Sequence, residues 1–461
     1  MIKPINVYIL NTRHDTWENY LIKDFKEKGI IKHAIVHKTG KESKKRFLNL
    51  GEEGLDGKYM AMPLDLYDRL YKYLPRFIDM YCRVTPFHSG TYSELNFHQY
   101  LDHFNLILNY YYSLFIENKI DLFIHNNSPH VGYDYIPNIL AEELGIKTLY
   151  LEQSIFPNKF FYYWQFNDYG TFKTSGELFK LEGIKIENKF EKEIPYMNKK
   201  LLKGGFKFSN IKNLSSLNNE LNTYVPGYQF IKEIIRSEYR GQAHYRYKLK
   251  KKYNENLKKL SPAVDLEKPF VYFGLHLQPE KSTSSWGGKY SDHALALEHL
   301  SAILPKDWKI YVKENPKQTY FMRNPEFFRR LERIPNLELV SKDFNTYDLI
   351  KNSKINATIS GSIGWESITG GKPALIFGWG VWYKKLPGIY NYSPDLDLEE
   401  ISKEKVNFEL LQSKLNELVK KMAPGIILNE YYPSIYDKYN REENNKVVTK
   451  SIEAILKSEI K

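Results

Sequence analysis

Four segments of the chain place titratable or hydroxylic side chains at the end of an apolar run, where an open α/β sheet presents its chemistry. Leu151-Glu152-Gln153-Ser154-Ile155-Phe156-Pro157-Asn158-Lys159 sets a carboxylate where IKTLYL gives out. A carboxylate there can act as general base on a hydroxyl or as a nucleophile. Its structural alternatives are a helix cap or an ion pair with Lys159. Leu275-His276-Leu277-Gln278-Pro279-Glu280-Lys281-Ser282-Thr283 follows another apolar run and leads into Trp286-Gly287-Gly288. His276, Gln278, Glu280 and Ser282 there form a polar cluster with small residues next to it. Val312-Lys313-Glu314-Asn315-Pro316 offers the Lys313 cation to a phosphate or carboxylate. Thr358-Ile359-Ser360-Gly361-Ser362-Ile363-Gly364-Trp365-Glu366 runs from a strand into hydroxyls and glycines and then opens a helix. Backbone N–H groups at such a helix start, with the Ser360 and Ser362 hydroxyls, suit an anion; Gly361 and Gly364 let a ligand approach, and Glu366 can bind a hydroxyl or brace the loop. A fifth strand end carries His125, Asn127 and His130 around Asn126 and Ser128 and suits a polyhydroxylated acceptor.

Other chemistries find no footing. The sequence contains no G-x-x-x-x-G-K-[ST], and no G-x-G-x-x-G follows its first strand. Asp395-Leu396-Asp397 reads as a helix cap before LEEISKE, and His125 and His130 flank a loop instead of sharing a helix face, so no metal site is expected. The lone Cys82 supports neither a disulfide framework nor a thiolate cluster.

The elements that must hold these residues alternate. PINVYIL is a strand and YLIKDFKEKG an amphipathic helix. Residues 59 to 118 read as aromatic helices. IDLFIH (120–125), the helix YIPNILAEELG and the strand IKTLYLE (146–152) make a βαβ unit, which implies a parallel sheet. The middle, about 175 to 262, is polar and basic and contains YRYKLKKKYNENLKK (245–259), a solvated helix face or a patch for anionic lipid. From KPFVYFGLHLQPE the alternation resumes through ALALEHLSAILP, WKIYVKENP, LELVS, TYDLIKNSK, INATIS and PALIFGW, again a doubly wound pattern. The 461 residues suit two or three domains. We expect a unit over 1–262 with helical and basic insertions, a second over 263–425, and helices over 426–461 that pack back on the first.

Composition sets the partners. Hydrophobic residues at 42% allow a large core, and 37 Tyr with 26 Phe make the chain aromatic. Lysine plus arginine exceeds aspartate plus glutamate by 67 − 55 = 12 charges, which favours anionic lipid, phosphorylated substrates or nucleic acid. No nucleic-acid module is recognisable, so no nucleic-acid partner is expected. The opening MIKPINVYILNTRHD is too polar for a signal peptide, and no apolar run reaches the roughly 18 residues of a membrane span. The expected location is the cytoplasm, peripheral on the inner face of the cytoplasmic membrane.

FIHNNSPHVGYDYIPNILAEELGIKTLYLEQSIFP, LHLQPEKSTSSWGG, VKENP and SGSIGWESITGGKPALIFGWGVWY together resemble the bacterial capsule polysaccharide biosynthesis glycosyltransferases, a GT-B group that includes β-Kdo transferases and is distantly similar to bacterial sialyltransferases. The resemblance covers residues 120–170 and 270–385. It implies two Rossmann-like doubly wound domains facing across a cleft. The first would bind acceptor and the second the nucleotide sugar, often a CMP-linked ulosonic acid, without metal or cofactor. The acceptor would be an oligosaccharide or a lipid-linked glycan. Glu152, His276 and Lys159 become the catalytic candidates. Gln278, Glu280, Ser282, Lys313, Asn315, Ser360, Gly361, Ser362, Gly364 and Glu366 become the donor-binding candidates, and His125, Asn127 and His130 the acceptor-binding ones. The chain departs from the family at two positions. Gln153 stands where relatives carry a second acid, and Asn315-Pro316 where they carry His-Pro. Those departures support an alternative, a non-catalytic glycan-binding or assembly protein that keeps the fold.

Overall fold

The computed structural model describes residues 4–11, 17–38, 60–81, 96–187, 240–259, 264–318, 320, 322–428 and 439–459. Cys82 and residues 188–239 and 260–263 of the basic middle lie outside the described residues.

Two six-stranded sheets organise the chain. The first contains β1 (Ile5–Asn11), β2 (Ile31–Lys38), β3 (Leu122–Asn126), β4 (Lys147–Gln153) and β5 (Lys159–Tyr163). The second contains β6 (Phe270–Gly274), β7 (Lys309–Lys313), β8 (Leu337–Val340), β9 (Ile355–Thr358), β10 (Ala374–Ile376) and β11 (Ile389–Asn391). The chain then returns, and β12 (Met422–Pro424) completes the first sheet.

Parallel strands covered on both faces read as near-continuous apolar runs. LFIHN of β3 and FVYFG of β6 are buried along their whole lengths. The second sheet is parallel throughout, in the order β11-β10-β9-β6-β7-β8. Counted from β6 this is 3-2-1-4-5-6, the doubly wound order whose ligand crevice opens between the first and fourth strands. Those strands are β6 and β9, and they end at the His276 and Ser360 segments. The first sheet runs β2-β1-β3-β4 in parallel, then adds β5 and β12 by antiparallel pairing. The two Rossmann-like domains thus have the GT-B arrangement.

Helices Leu64–Tyr71, Leu74–Tyr81, Phe97–Glu117 and Tyr135–Glu143 pack on one face of the first sheet in a core rich in Tyr and Phe. Asn96 and Gln99 form a reciprocal capping box at the start of the longest of them. Trp17–Glu27 and Arg441–Glu459 cover the opposite face, so the last helix packs against the first. A further apolar cluster joins the domains. Phe156 and Phe161 from the first side meet Trp365 and Trp382 from the second, and Tyr169 stacks on Trp286 at 4.6 Å. Aromatic rings fill both this cluster and the helical core of the first sheet, where offset and edge-on pairs bury large areas with fixed geometry.

A buried ion network stiffens the ligand end of the second sheet. Arg323 donates through Nε to Glu314 Oε2 at 2.7 Å, and both side chains are within 1% of full burial. It also donates to Gln278 Oε1 and, at 3.2 Å, to the His276 carbonyl oxygen, and it meets His293 Nδ1 at 3.2 Å. Burial, with Arg323 nearby, holds His276 down to about 4 and His293 well below its usual range. Burial also pushes His125, in β3, down to about 3.

Removing one partner of a buried pair strands the other charge, at a cost of about 3–5 kcal/mol. Glu314→Ala is therefore expected to lose about that much stability in urea unfolding; a loss under about 1 kcal/mol would show that water reaches Arg323. The three histidines set a second expectation. Their folded affinities for protons are lowered, so below about pH 6.5 the unfolded chain binds more protons than the folded one, and stability falls as pH falls. Each histidine contributes about 1.4 kcal/mol per pH unit once pH is well below 6.5 and above its folded value. The melting temperature should drop steadily from pH 7 to pH 5, and a flat profile over that window would contradict neutral burial of these rings.

Candidate functional site at the domain cleft

Glu152 leaves the end of β4 and is 3% exposed. Its Oε2 accepts from the Ser128 backbone N–H and from Ser128 Oγ, both at 2.9 Å. Ser128 Oγ lies 3.0 Å from Tyr163 OH on β5. The carboxylate is thus aimed by the loop after β3, which β5 steadies through Tyr163. Its Oε1 accepts from Lys281 Nζ at 2.5 Å. The same ammonium donates to Asn127 Oδ1 at 2.6 Å and lies 4.6 Å from the centre of the Trp286 ring. Glu152 pairs across the cleft with Lys281, not with its sequence neighbour Lys159.

Lys281 opens the one-turn segment Lys281–Ser285, a π-helical turn of the kind common at functional sites. Glu280 and Thr283 cap it reciprocally. Its other residues reach into both domains. The Ser282 carbonyl oxygen accepts from Ser360 Oγ at 2.5 Å, and Ser282 Oγ is 3.3 Å from His276 Nδ1. The Ser285 carbonyl oxygen accepts from Arg76, on Leu74–Tyr81, at 2.5 Å and from Trp379 Nε1 at 3.1 Å.

The Ser360 loop sits at the crevice that the strand order defines. His276 Nε2 meets Thr358 Oγ1 at 2.7 Å, and this contact ties the end of β6 to the end of β9. A side chain on Gly361 would put Cβ 2.9 Å from that His276 nitrogen, so the residue must be glycine or the contact must yield. Gly364 is equally confined, because a Cβ there would lie 2.6 Å from Tyr383 OH. Tyr383 OH in turn donates to the Gly361 carbonyl oxygen. The helix Ser362–Thr369 begins here, with Gly361 at its N-cap and no side chain capping it. Ser362 Oγ donates to Glu366 Oε1 at 2.6 Å, and burial raises the Glu366 carboxyl above its usual range.

The structure separates the sequence-derived candidates into two groups. Glu152, Asn127, His276, Glu280, Ser282, Ser360, Gly361, Ser362, Gly364 and Glu366 belong to the connected set above. The others are occupied elsewhere. Gln278 serves the Arg323 network and donates from Nε2 to the Ser291 carbonyl oxygen at 2.5 Å. Lys313 is buried and donates to the Phe344 carbonyl oxygen at 2.6 Å and to Thr346 Oγ1 at 2.7 Å. Asn315 folds its own loop, accepting from the Lys317 N–H at 3.0 Å. His125 is fully buried, with Nδ1 3.1 Å from Asn138 Oδ1. His130 Nδ1 lies 2.8 Å from the Ser128 carbonyl oxygen and 3.4 Å from Asp134 Oδ2, which makes it a brace for the loop that holds Glu152. Lys159 begins β5, and partial burial lowers its ammonium below the usual range. Gln153 is a strap. Its Nε2 donates to the Lys159 carbonyl oxygen at 3.0 Å, and its Oε1 accepts from the Ile427 N–H at 2.9 Å. Asp397 caps Leu398–Lys403 by accepting from the Glu399 and Glu400 N–H groups.

Sequence reasoning passed over Lys281, Ser128, Tyr163, Arg76 and Arg323. Lys281 stands inside the quoted KSTSSWGG run, where a lysine beside serines looks solvated. A cavity of about 520 Å³ lies beside this set. Arg76, Asn138 and Tyr150 line it from the first domain, and Ser285, Lys289 and Trp379 from the second.

No protein-family model matches the sequence, and no curated protein sequence matches it. Solved structures with a similar chain path include the Thermosulfurimonas dismutans KpsC beta Kdo 2,7 transferase. It is 10% identical, with 96% of this chain and 99% of that chain covered and a TM-score of 0.34. The beta Kdo 2,4 transferase of the same KpsC is 12% identical over 64% of this chain and 87% of that one, with a TM-score of 0.26. The UDP-GlcNAc 2-epimerase of Methanocaldococcus jannaschii is 13% identical over 98% and 99%, with a TM-score of 0.23.

Proposed function

We propose that the chain is a glycosyltransferase that moves a sugar from a nucleotide donor to a glycan acceptor. The observation that carries this reading is the position of Glu152. It is a carboxylate buried at a strand end of one sheet, joined through Lys281 and Ser282 to the Ser360 hydroxyl at the ligand crevice of the other. In this reading the domain built on the second sheet holds the donor. Ser360, Ser362 and the N–H groups opening Ser362–Thr369 receive its phosphate. His276, kept neutral, holds the loop ends together and presents no charge of its own.

Glu152 then takes the proton of an acceptor hydroxyl brought by the domain built on the first sheet, and that oxygen bonds to the anomeric carbon. The bond from that carbon to the donor phosphate breaks, and the phosphate leaves with its electron pair. Closing the domains around the reactants excludes water, which would otherwise hydrolyse the donor. The donor class favoured by the motif resemblance is a CMP-linked ulosonic acid, and the acceptor a capsule or other surface glycan, free or on a lipid.

The helix Arg240–Lys259 fits work at an anionic membrane surface. Tyr253 is buried beside Phe328, while Lys248, Lys250, Lys251, Lys252 and Lys258 are exposed. Among the described residues no helix is long and apolar enough to cross a membrane. The alternative, a glycan-binding protein with the GT-B fold, draws support from the ion pair that occupies Glu152.

A thermal-shift panel of CMP, CDP, UDP, GDP and dTDP decides the donor class, since a ligand of the folded state raises its stability with RT ln(1 + [L]/Kd). CMP is expected to shift the melting point selectively. A selective shift with a diphosphate would replace the donor class, and no shift with any nucleotide would sink the transferase reading. With the donor so identified, Glu152→Gln should lower transfer by about 10²–10⁴-fold while the melting point stays near that of the parent. Undiminished transfer would remove Glu152 from the mechanism. Flotation with vesicles containing phosphatidylserine should show binding that weakens as salt rises, because exposed charges are screened; salt-independent binding or none would exclude the lysine helix as the contact.

A further inference from the structure

We infer that Lys281 is the donor-positioning cation of this site, held in reserve by Glu152 until phosphoryl oxygens displace the carboxylate. The inference rests on the proposed nucleotide-sugar site and deepens it.

Three features of the geometry carry it. Lys281 belongs to the second domain but spends its ammonium on the first, on Glu152 Oε1 at 2.5 Å and Asn127 Oδ1 at 2.6 Å. A strut between domains would not require this residue. The aromatic cluster and Arg76, which donates to the Ser285 and Gly288 carbonyl oxygens, already join the two bodies. Next, the backbone places Lys281 beside the anion cradle. Ser282, the following residue, accepts from Ser360 Oγ and contacts His276. A four-carbon stem pivoting at that position sweeps from the carboxylate toward the crevice. Finally, the two partners differ in access. The Lys281 side chain is 24% exposed and Glu152 only 3%, so an incoming anion meets the lysine first.

The exchange needs no covalent step. Phosphoryl oxygens replace Glu152 Oε1 as acceptors of the Lys281 ammonium, and Glu152 keeps its two bonds from Ser128 while Oε1 becomes available to an acceptor hydroxyl. One cation therefore links donor arrival to release of the base. It also explains how a sequence with Asn315 in place of a family histidine keeps a positive charge at the phosphate. Lys313, the other cation the sequence offers there, is already bonded to Phe344 and Thr346.

A reserve cation makes an unusual demand on the variants. The ion pair taxes anion binding, because only the fraction of molecules with Lys281 released is competent. Removing the carboxylate must then strengthen binding. Isothermal titration of inorganic pyrophosphate into the full chain is expected to give at least about tenfold tighter binding for Glu152→Gln than for the parent. The gain should vanish in Glu152→Gln combined with Lys281→Met. The double variant is neutral at both positions and avoids the stranded carboxylate that Lys281→Met alone would leave. Melting curves confirm that each variant is folded, and cytidine serves as the uncharged control.

If Glu152→Gln binds pyrophosphate no tighter than the parent, or if the double variant keeps the gain, Lys281 is a structural tie and the inference fails. A gain seen with glucuronate and absent with pyrophosphate overturns the phosphoryl assignment. The outcomes separate from those of the nucleotide panel. A parent chain that binds CMP or UDP with no gain in Glu152→Gln loses the reserve cation and keeps the donor site. A pyrophosphate gain without nucleotide binding keeps the cation and loses the nucleotide.

Discussion

Arg323 carries a charge that the interior accepts only with full compensation, and meeting that condition shapes the ligand end of the second sheet. Its donors reach the segment after β6 through His276 and Gln278, the segment after β7 through Glu314, and the helix His293–Ala302 through His293. A guanidinium satisfies several acceptors in a fixed fork, which an ammonium cannot. The two strand ends and the helix are thereby fixed relative to one another. The Lys281–Ser285 turn starts only two residues beyond Gln278–Pro279, so its position follows from the same network. Through Ser282 and Lys281 that rigidity extends to the Ser360 loop and across the cleft to Glu152.

This order of dependence separates residues that shape the site from residues that face it. Gln278 and Lys313 look like ligand contacts in a sequence because polar groups at strand ends often are. In the fold they satisfy buried partners, and an unpaired buried polar group would cost more than a lost surface contact. His276 stands between the two classes. Its nitrogens meet Thr358 and Ser282, so it shapes the loop while lining it. Its low proton affinity follows from burial beside Arg323, which suits a group that must hold a hydroxyl without adding charge.

The parallel sheets were legible because doubly buried strands leave continuous apolar runs. IDLFIH, IKTLYLE, FVYFGLH and INATIS all fall within a residue or two of β3, β4, β6 and β9. The run FVYFGLH nevertheless stops as a strand at Gly274, which frees His276 to turn into the crevice. The antiparallel edge was not legible. KFFYY follows β4 with no glycine-bearing hairpin signal, and MAP is too short to announce a strand. Glu152 and the Ser360 loop could be found because a strand end is a local feature. Lys281, Arg323 and Ser128 could not, because their roles depend on partners from 9 to 129 positions away. No local pattern encodes such a pairing, and a lysine in KSTSS or an arginine before a helix cap reads as solvated.

Gln153 narrows what the site can do. Relatives in the family that the motifs resemble carry an acid there, and an ionised acid only accepts hydrogen bonds. Here the side chain must donate to the Lys159 carbonyl oxygen and accept from the Ile427 N–H, joining β4, β5 and the segment after β12. A carboxylate in that place would set its charge against the Lys159 carbonyl. The strap thus commits the second position to architecture and leaves Glu152 as the one carboxylate at this strand end. Its two oxygens are not equivalent. Oε2 is fixed by both donors of Ser128, whose hydroxyl also meets Tyr163, and Oε1 alone points toward the second domain. An oxygen anchored in this way has one approach direction. As a base it would favour direct displacement with inversion, and as a nucleophile it would favour a covalent intermediate with retention. The separation of Oε1 from the anomeric carbon in a donor complex chooses between them, since a nucleophile must come within bonding reach and a base must leave room for the acceptor oxygen.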